Sequence, residues 1–243
     1  MLEVQRKRFT FRIREIWFAD YPFEVSGSDS VLFLACKNGV QMKGFSCEEQ
    51  TTLAIDLTQD LGVIWRNLRR DTRRGIGRAK RQGIRITVNR SYEEFYELNL
   101  SFRQRKGLPL GSWGDIDFMK KHGALFLAEF EGRILGGMLF LEDENHVRWL
   151  IGASRRLGVR KEVARVIADA NRLTLWEAIA YAKNKGKREF DLGGFYVGEV
   201  RDEEKERIGQ FKLGFGGKYT LKYNYRKDYS MWYRVARRLY ELT

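Results

Sequence analysis

Asp191-Leu192-Gly193-Gly194-Phe195 is answered some fifteen residues later by Gln210-Phe211-Lys212-Leu213-Gly214-Phe215-Gly216-Gly217. Arg188–Leu192 reads as a short buried strand, and the chain then breaks at two glycines, which permit positive φ and close approach of a second backbone or a ligand. Arg207–Leu213 reads as the end of a helix stopped by Gly214, Gly216 and Gly217. Lys212 lies near that end, between Phe211 and Phe215. A lysine flanked by aromatics and glycines is suited to acting close to a site, where its charge counts for more than in water. The plainer alternative is a strand, a loop, a solvated lysine and a glycine cap.

Outward from these phrases the pattern is mixed. Arg160–Lys183 carries Val163, Val166, Ile167, Ala170, Thr174, Ala178 and Tyr181 at helical spacing, closed by Gly186. Before it, Ala124–Phe130, Ile134–Leu141 and Val147–Ala153, with turns at Glu131-Gly132 and Glu142–Asn145, read as a three-stranded antiparallel meander. Tyr92–Arg105 is helical, a loop follows around Gly107–Gly111, and a short helix lies near Ile116–Lys121. Further upstream, Arg8–Phe18 alternates as one strand. Val31–Cys36 and Val40–Phe45 read as a hairpin about Asn38-Gly39, Thr51–Leu57 as a strand, Leu61–Arg81 as one helix ended by Gly83, and Ile84–Val88 as a strand. Downstream, Lys218–Tyr225 alternates as a strand. Ser230–Leu242 is an amphipathic helix with Trp232, Val235, Leu239 and Leu242 alongside Arg234, Arg237 and Arg238. Such a helix packs on its own domain or lies on a membrane surface, and packing is the expectation.

Charge ranks the partners. The formal net charge is +13 over 243 residues, a field that favours RNA, nucleotides, phosphorylated precursors or anionic lipid. Between Asp60 and Arg90 ten Lys/Arg face two Asp, a net of +8. Arg69, Arg70, Arg73, Arg74, Arg78 and Arg81 cover several faces of that helix. They form either a phosphate- or RNA-binding surface, since guanidinium forks match phosphate oxygens, or a solvated helix face.

Composition also excludes. Two cysteines, Cys36 and Cys47, and two histidines, His122 and His146, have no metal-type or disulfide spacing, so no metal and no Ser-His-Asp or Cys-His unit is expected. Met1–Arg14 is basic and alternating, without the apolar core of a signal peptide. No run of eighteen apolar residues predicts a membrane span. A cytoplasmic setting is expected.

From Ile84 to Tyr225 the order strand, helix, helix, three antiparallel strands, long helix, strand, helix, strand resembles the GNAT acyltransferase fold. The phrases within it resemble the FemABX family, the aminoacyl-tRNA-dependent peptidyltransferases. They are Arg73-Arg74-Gly75-Ile76 through Gly83-Ile84, and Ile151-Gly152-Ala153-Ser154. Leu175-Trp176-Glu177-Ala178-Ile179 through Ala182-Lys183 to Gly186 follows, then Phe190-Asp191-Leu192-Gly193-Gly194, and last Phe211-Lys212 with Phe215-Gly216-Gly217. The similarity runs from about Leu53 to about Tyr225.

The resemblance implies an α+β, GNAT-like acyltransferase fold: a mixed, mostly antiparallel central sheet flanked by helices. A reduced GNAT-like unit over 1–83, ending in the basic helix, would precede a complete one over 84–243. Only about 83 residues precede that second unit, with no room for the helical arm many family members carry, and the acceptor is left open. Ordinary acetyltransferases carry Gln/Arg-x-x-Gly-x-Gly/Ala before the long helix, where backbone N–H groups cradle the CoA pyrophosphate. Here Arg155-Arg156-Leu157-Gly158-Val159-Arg160 puts an arginine where Gly or Ala is expected.

The function implied is transfer of an aminoacyl group from aminoacyl-tRNA to an amine acceptor, a peptide or cell-wall precursor. The alternatives are an acyl-CoA-dependent N-acyltransferase and a non-catalytic RNA-binding module. An ester donor is already activated, so no cofactor is expected. By resemblance Lys212 lies near the reacting centre. Asp191 either accepts a proton or braces its loop, bracing being the expectation. Phe211, Phe215, Gly193 and Gly194 would contribute to substrate binding, and Trp149 and Tyr196 would be pocket walls.

Overall fold

Alternation at the N-terminus resolves into two strands rather than the single one expected over Arg8–Phe18. In the computed structural model, which describes residues 1–108, 116–198 and 202–241, β1 (Leu2–Arg8) and β2 (Phe11–Trp17) pair antiparallel about a turn at Phe9-Thr10. Phe9 takes φ +54° there, a conformation that alternation does not announce.

β3 (Ser30–Cys36) follows, then β4 (Ser46–Asp56), α1 (Leu61–Asn67), α2 (Arg70–Arg81), β5 (Arg85–Val88) and α3 (Tyr92–Arg105). α4 (Ile116–His122) leads to β6 (Gly123–Phe130), β7 (Arg133–Glu142), β8 (His146–Ser154) and α5 (Lys161–Asn184). β9 (Glu189–Gly194), α6 (Glu203–Leu213), β10 (Lys218–Asp228) and α7 (Met231–Glu241) complete the order. Part of the loop expected around Gly107–Gly111 lies outside the described residues, as does Leu242. The class is α+β with mostly antiparallel strands, as the resemblance implied.

The chain divides into two compact units. Unit 1 comprises Met1–Thr52, Gly194–Val197 and Tyr219–Thr243; unit 2 comprises Leu53–Gly193 and Gly198–Lys218. Helix α2 stays with unit 2 because it packs on α5: Arg78 grips Asp169 through two hydrogen bonds of 2.7 and 2.8 Å. A Cβ on Gly75 would fall 2.7 Å from both Asp169 Oδ1 and Arg172 Cδ, so only glycine admits this approach.

In unit 1 the strand order is β1-β2-β3-β10-β4. β3 runs parallel to β2 and antiparallel to β10. Ile16, Val31, Phe33, Cys36 and Tyr225 form its core. The hairpin expected about Asn38-Gly39 is absent, because residues 37–45 form no strand. This segment is instead tied to β10: Tyr225 donates its hydroxyl hydrogen to Asn38 O and accepts one from Val40 N. Helix α7 packs through Tyr233, edge-on to Phe11 with centroids 5.2 Å apart, not through its apolar stripe as expected: Trp232, Val235 and Leu239 stay exposed.

In unit 2 the order is β9-β8-β7-β6-β5, with the end of β4 beside β9. The predicted meander is present with its turns, β5 to β8 being antiparallel and β8–β9 parallel. Period-two alternation sorts its side chains. Leu125, Leu127 and Leu139 pack with Phe95 and Leu98 of α3, whereas Phe126 meets Phe140 and Tyr181 of α5 at 5.7 and 5.2 Å. Helices thus cover both faces of this sheet. The helix expected over Leu61–Arg81 is two: Leu68 and Arg69 have ψ 143° and 149° and break it. Arg69 N then donates to Gly214 O (2.9 Å), which ties the start of α2 to the end of α6.

Candidate functional site

Two local devices bring the signalled phrases together in unit 2. The first is a bulge. Pairing of β7 with β8 steps from Leu139↔Ile151 to Phe140↔Trp149, leaving Leu150 as an extra residue. A bulge re-aims neighbouring side chains. Trp149 turns back along its own strand and donates Nε1–H to Ile151 O at 2.9 Å. A Cβ on Gly152 would lie 2.7 Å from the Trp149 ring, so glycine is required beneath the indole.

The second device is the glycine-rich end of α6. Asp202 caps its start, accepting from Glu204 N and Lys205 N. At its end a Cβ on Gly214 would fall 2.5 Å from Thr72 Oγ1, and one on Gly217 2.9 Å from Ala54 O. The glycines therefore let the helix end seat against α2 and β4, which fixes the position of Lys212.

The parallel ladder between β8 and β9 ends at Arg148↔Asp191. Their side chains form a buried ion pair. Asp191 also accepts Gly193 N–H at 2.7 Å, which holds the turn where Gly193 has φ +78°. The Lys212 side chain lies beside this turn. Its ammonium is 5.4 Å from the Trp149 ring centroid and 3.7 Å from where a Gly193 Cβ would stand. Lys212 is only 7% exposed. Burial is the main reason its pKa falls to about 8; Asp191 opposes that fall and Arg148 adds to it. Phe211 lies edge-on to Trp149 at 6.0 Å and beside Phe215 at 5.3 Å.

Lys212, Asp191, Gly193, Trp149, Phe211 and Phe215 thus form one cluster. Arg148 and Gly152 also belong to it, and sequence reasoning missed both. Arg148 lies in a strand whose polar positions read as ordinary alternation; only parallel register with Asp191 exposes its role. Gly194 and Tyr196 belong to unit 1, where Gly194 is exposed and Tyr196 half-buried.

The basic residues divide. Arg69 donates to Gln210 Oε1 (2.9 Å), Arg73 to Arg66 O (2.7 Å), and Arg78 is held by Asp169. Arg70 and Arg74 are exposed. Among the described residues no group of three or more His, Cys, Asp or Glu is placed to hold a metal ion, and no helix is long and apolar enough to cross a membrane.

No family model and no curated protein matches the sequence. Solved structures do match. FemX superposes with a TM-score of 0.64 at 13% identity, over 99% of this chain and 85% of that one. The C-terminal domain of a candidate lysylphosphatidylglycerol synthetase from Agrobacterium fabrum gives 0.55 at 13% identity, over 82% and 68%. L-PGS from Bacillus licheniformis gives 0.51 at 14% identity, over 84% and 70%. By structural likeness, the chain has a FemX-like fold.

Proposed function

We propose that this protein is an acyltransferase of Fem type, moving an aminoacyl group from aminoacyl-tRNA to an amine acceptor such as a peptide or cell-wall precursor. The observation that carries the reading is the Lys212 ammonium, buried to 7% exposure beside the Gly193 turn. The acceptor's neutral amine attacks the ester carbonyl, forming the C–N bond. The carbonyl electrons pass onto oxygen and return as the C–O bond to the tRNA ribose breaks. The ribose oxygen leaves with the proton the amine gives up. A fixed cation close to the developing oxyanion lowers this barrier by several kcal/mol in favourable sites, each ~1.4 kcal/mol being tenfold in rate. Lys212 supplies that cation, since a group with a pKa of about 8 remains mostly protonated at neutral pH. Asp191, already engaged by Arg148 and Gly193 N–H, braces the turn rather than shuttling a proton.

The donor decides between this reading and a CoA-dependent one. Arg160, not Gly or Ala, stands at the N-cap of α5, which favours the tRNA donor. The test is mass spectrometry of amine-acceptor mixtures incubated with aminoacylated tRNA or with acyl-CoA. Products from charged tRNA that vanish in Lys212→Ala, with an unchanged circular dichroism spectrum, support the proposal. Products from acyl-CoA alone sink it in favour of an ordinary N-acyltransferase. Salt-sensitive RNA binding with no product leaves an RNA-binding module.

A further inference from the structure

The C-terminal helix is mounted with its apolar side outward. Tyr233 is buried and Arg237 half-buried on the packed side of α7, where Arg237 pairs with Asp228 at 3.2 Å. Four-residue spacing puts Met231, Val235 and Leu239 on the opposite side, with Trp232 adjoining. These are 67%, 49%, 64% and 74% exposed. An amphipathic helix that merely completes a core would show the reverse orientation. The stripe is bordered by the exposed cations Arg234 and Arg238.

A second element shares this character. The turn between β1 and β2 adjoins α7 through the Phe11–Tyr233 ring contact. At its tip Phe9 is 80% exposed with φ +54°, an uncommon backbone state for a bulky side chain. Lys7, Arg8 and Arg12 around it are exposed. Apolar tips set among cations are complementary to a bilayer interface: the apolar groups enter the boundary between headgroups and chains, and the cations meet anionic headgroups.

We propose that α7 and the Phe9 turn form a peripheral docking surface for an anionic lipid membrane. Charge selects this occupant, because an apolar partner protein would not require the arginine and lysine border, and a second copy would set these cations against each other.

The test is cosedimentation of the full chain with vesicles of phosphatidylcholine alone or mixed equally with phosphatidylglycerol. Binding to the mixed vesicles should be about tenfold stronger or more, and should weaken as salt is raised. Leu239→Asp and Trp232→Asp, both at exposed positions and so expected to leave the fold intact, should each weaken it by about tenfold or more. Phe9→Asp should act in the same direction. Absent binding to the mixed vesicles, or binding that Leu239→Asp does not change, would overturn the proposal. So would sedimentation showing a dimer that Leu239→Asp dissociates, which would make a second copy the occupant.

Discussion

Arg148 on β8 and Asp191 on β9 are register partners on parallel strands, and their paired side chains are 9% and 2% exposed. The pair lies beneath the turn that carries Gly193, and both members act on the charge of Lys212. Removing one partner of a buried pair strands the other charge, at a cost of about 3–5 kcal/mol. Asp191→Asn or Arg148→Met should therefore destabilise strongly in urea unfolding. The combined variant should lose less than the sum of the two. Simple additivity would mean the two side chains do not depend on each other.

The Lys212 pKa of about 8 sets the direction of two pH dependences. The folded state binds this proton less tightly than the unfolded chain, whose lysines titrate near 10.5. The burial penalty on the ammonium is thus fully present below pH 8 and is relieved as pH rises from there toward 10.5. Lys212 alone makes stability climb over that window, and Lys212→Met should remove the climb. Activity should move the other way. If the ammonium is the working species, the rate constant at saturating substrate falls as pH rises through about 8. A rate that shows no fall above this pH would argue against the ammonium as the working species.

Gly193 is constrained by both backbone conformation and space. Its φ of +78° disfavours any side chain, and a Cβ there would lie 3.1 Å from Trp149 O. Gly193→Ala should cost on the order of 1–3 kcal/mol in thermal unfolding and reduce transfer by displacing the turn beside Lys212. Gly194→Ala is the control: its Cβ would meet the flexible end of Gln50 at 3.2 Å. Equal losses from both would show that left-handed geometry at Gly193 is not what the turn needs.

What was legible in the sequence divides along a physical line. Local periodicity revealed the meander, α3 and α5, because each buries a face through spacing within one segment. Glycines after Leu192 and Leu213 marked the turn and the helix end beside Lys212 for the same local reason. Relationships between segments were not legible. Asn38-Gly39 has the composition of a tight turn, yet β3 takes β2 and β10 as neighbours and the following stretch is held by Tyr225. The break at Leu68-Arg69 has no proline or glycine to announce it; it arises where Arg69 N meets Gly214 O. Arg148 became visible only once β8 and β9 were aligned. The outward mounting of α7 likewise depends on where Tyr233 finds Phe11, not on the apolar stripe itself.

The basic helix provides the last prediction, because its arginines divide into anchored and exposed groups. Arg78 forms a bidentate pair with Asp169, whose side chain is 2% exposed. Arg78→Ala should therefore act on stability, by leaving that carboxylate without its main partner. Arg70 and Arg74 are exposed on α2. If α2 meets tRNA phosphates, replacing both with alanine should leave the unfolding midpoint unchanged and weaken tRNA binding. The salt dependence should fall with it, since each lost phosphate contact removes roughly 0.7–0.9 from the slope of log affinity against log salt. Titrations of wild type and the double variant at several salt concentrations measure this directly. An unchanged slope would place the RNA contact elsewhere and reduce the charge of α2 to a solvated face. A reduced slope with unchanged turnover on a saturating donor would confine the helix to binding.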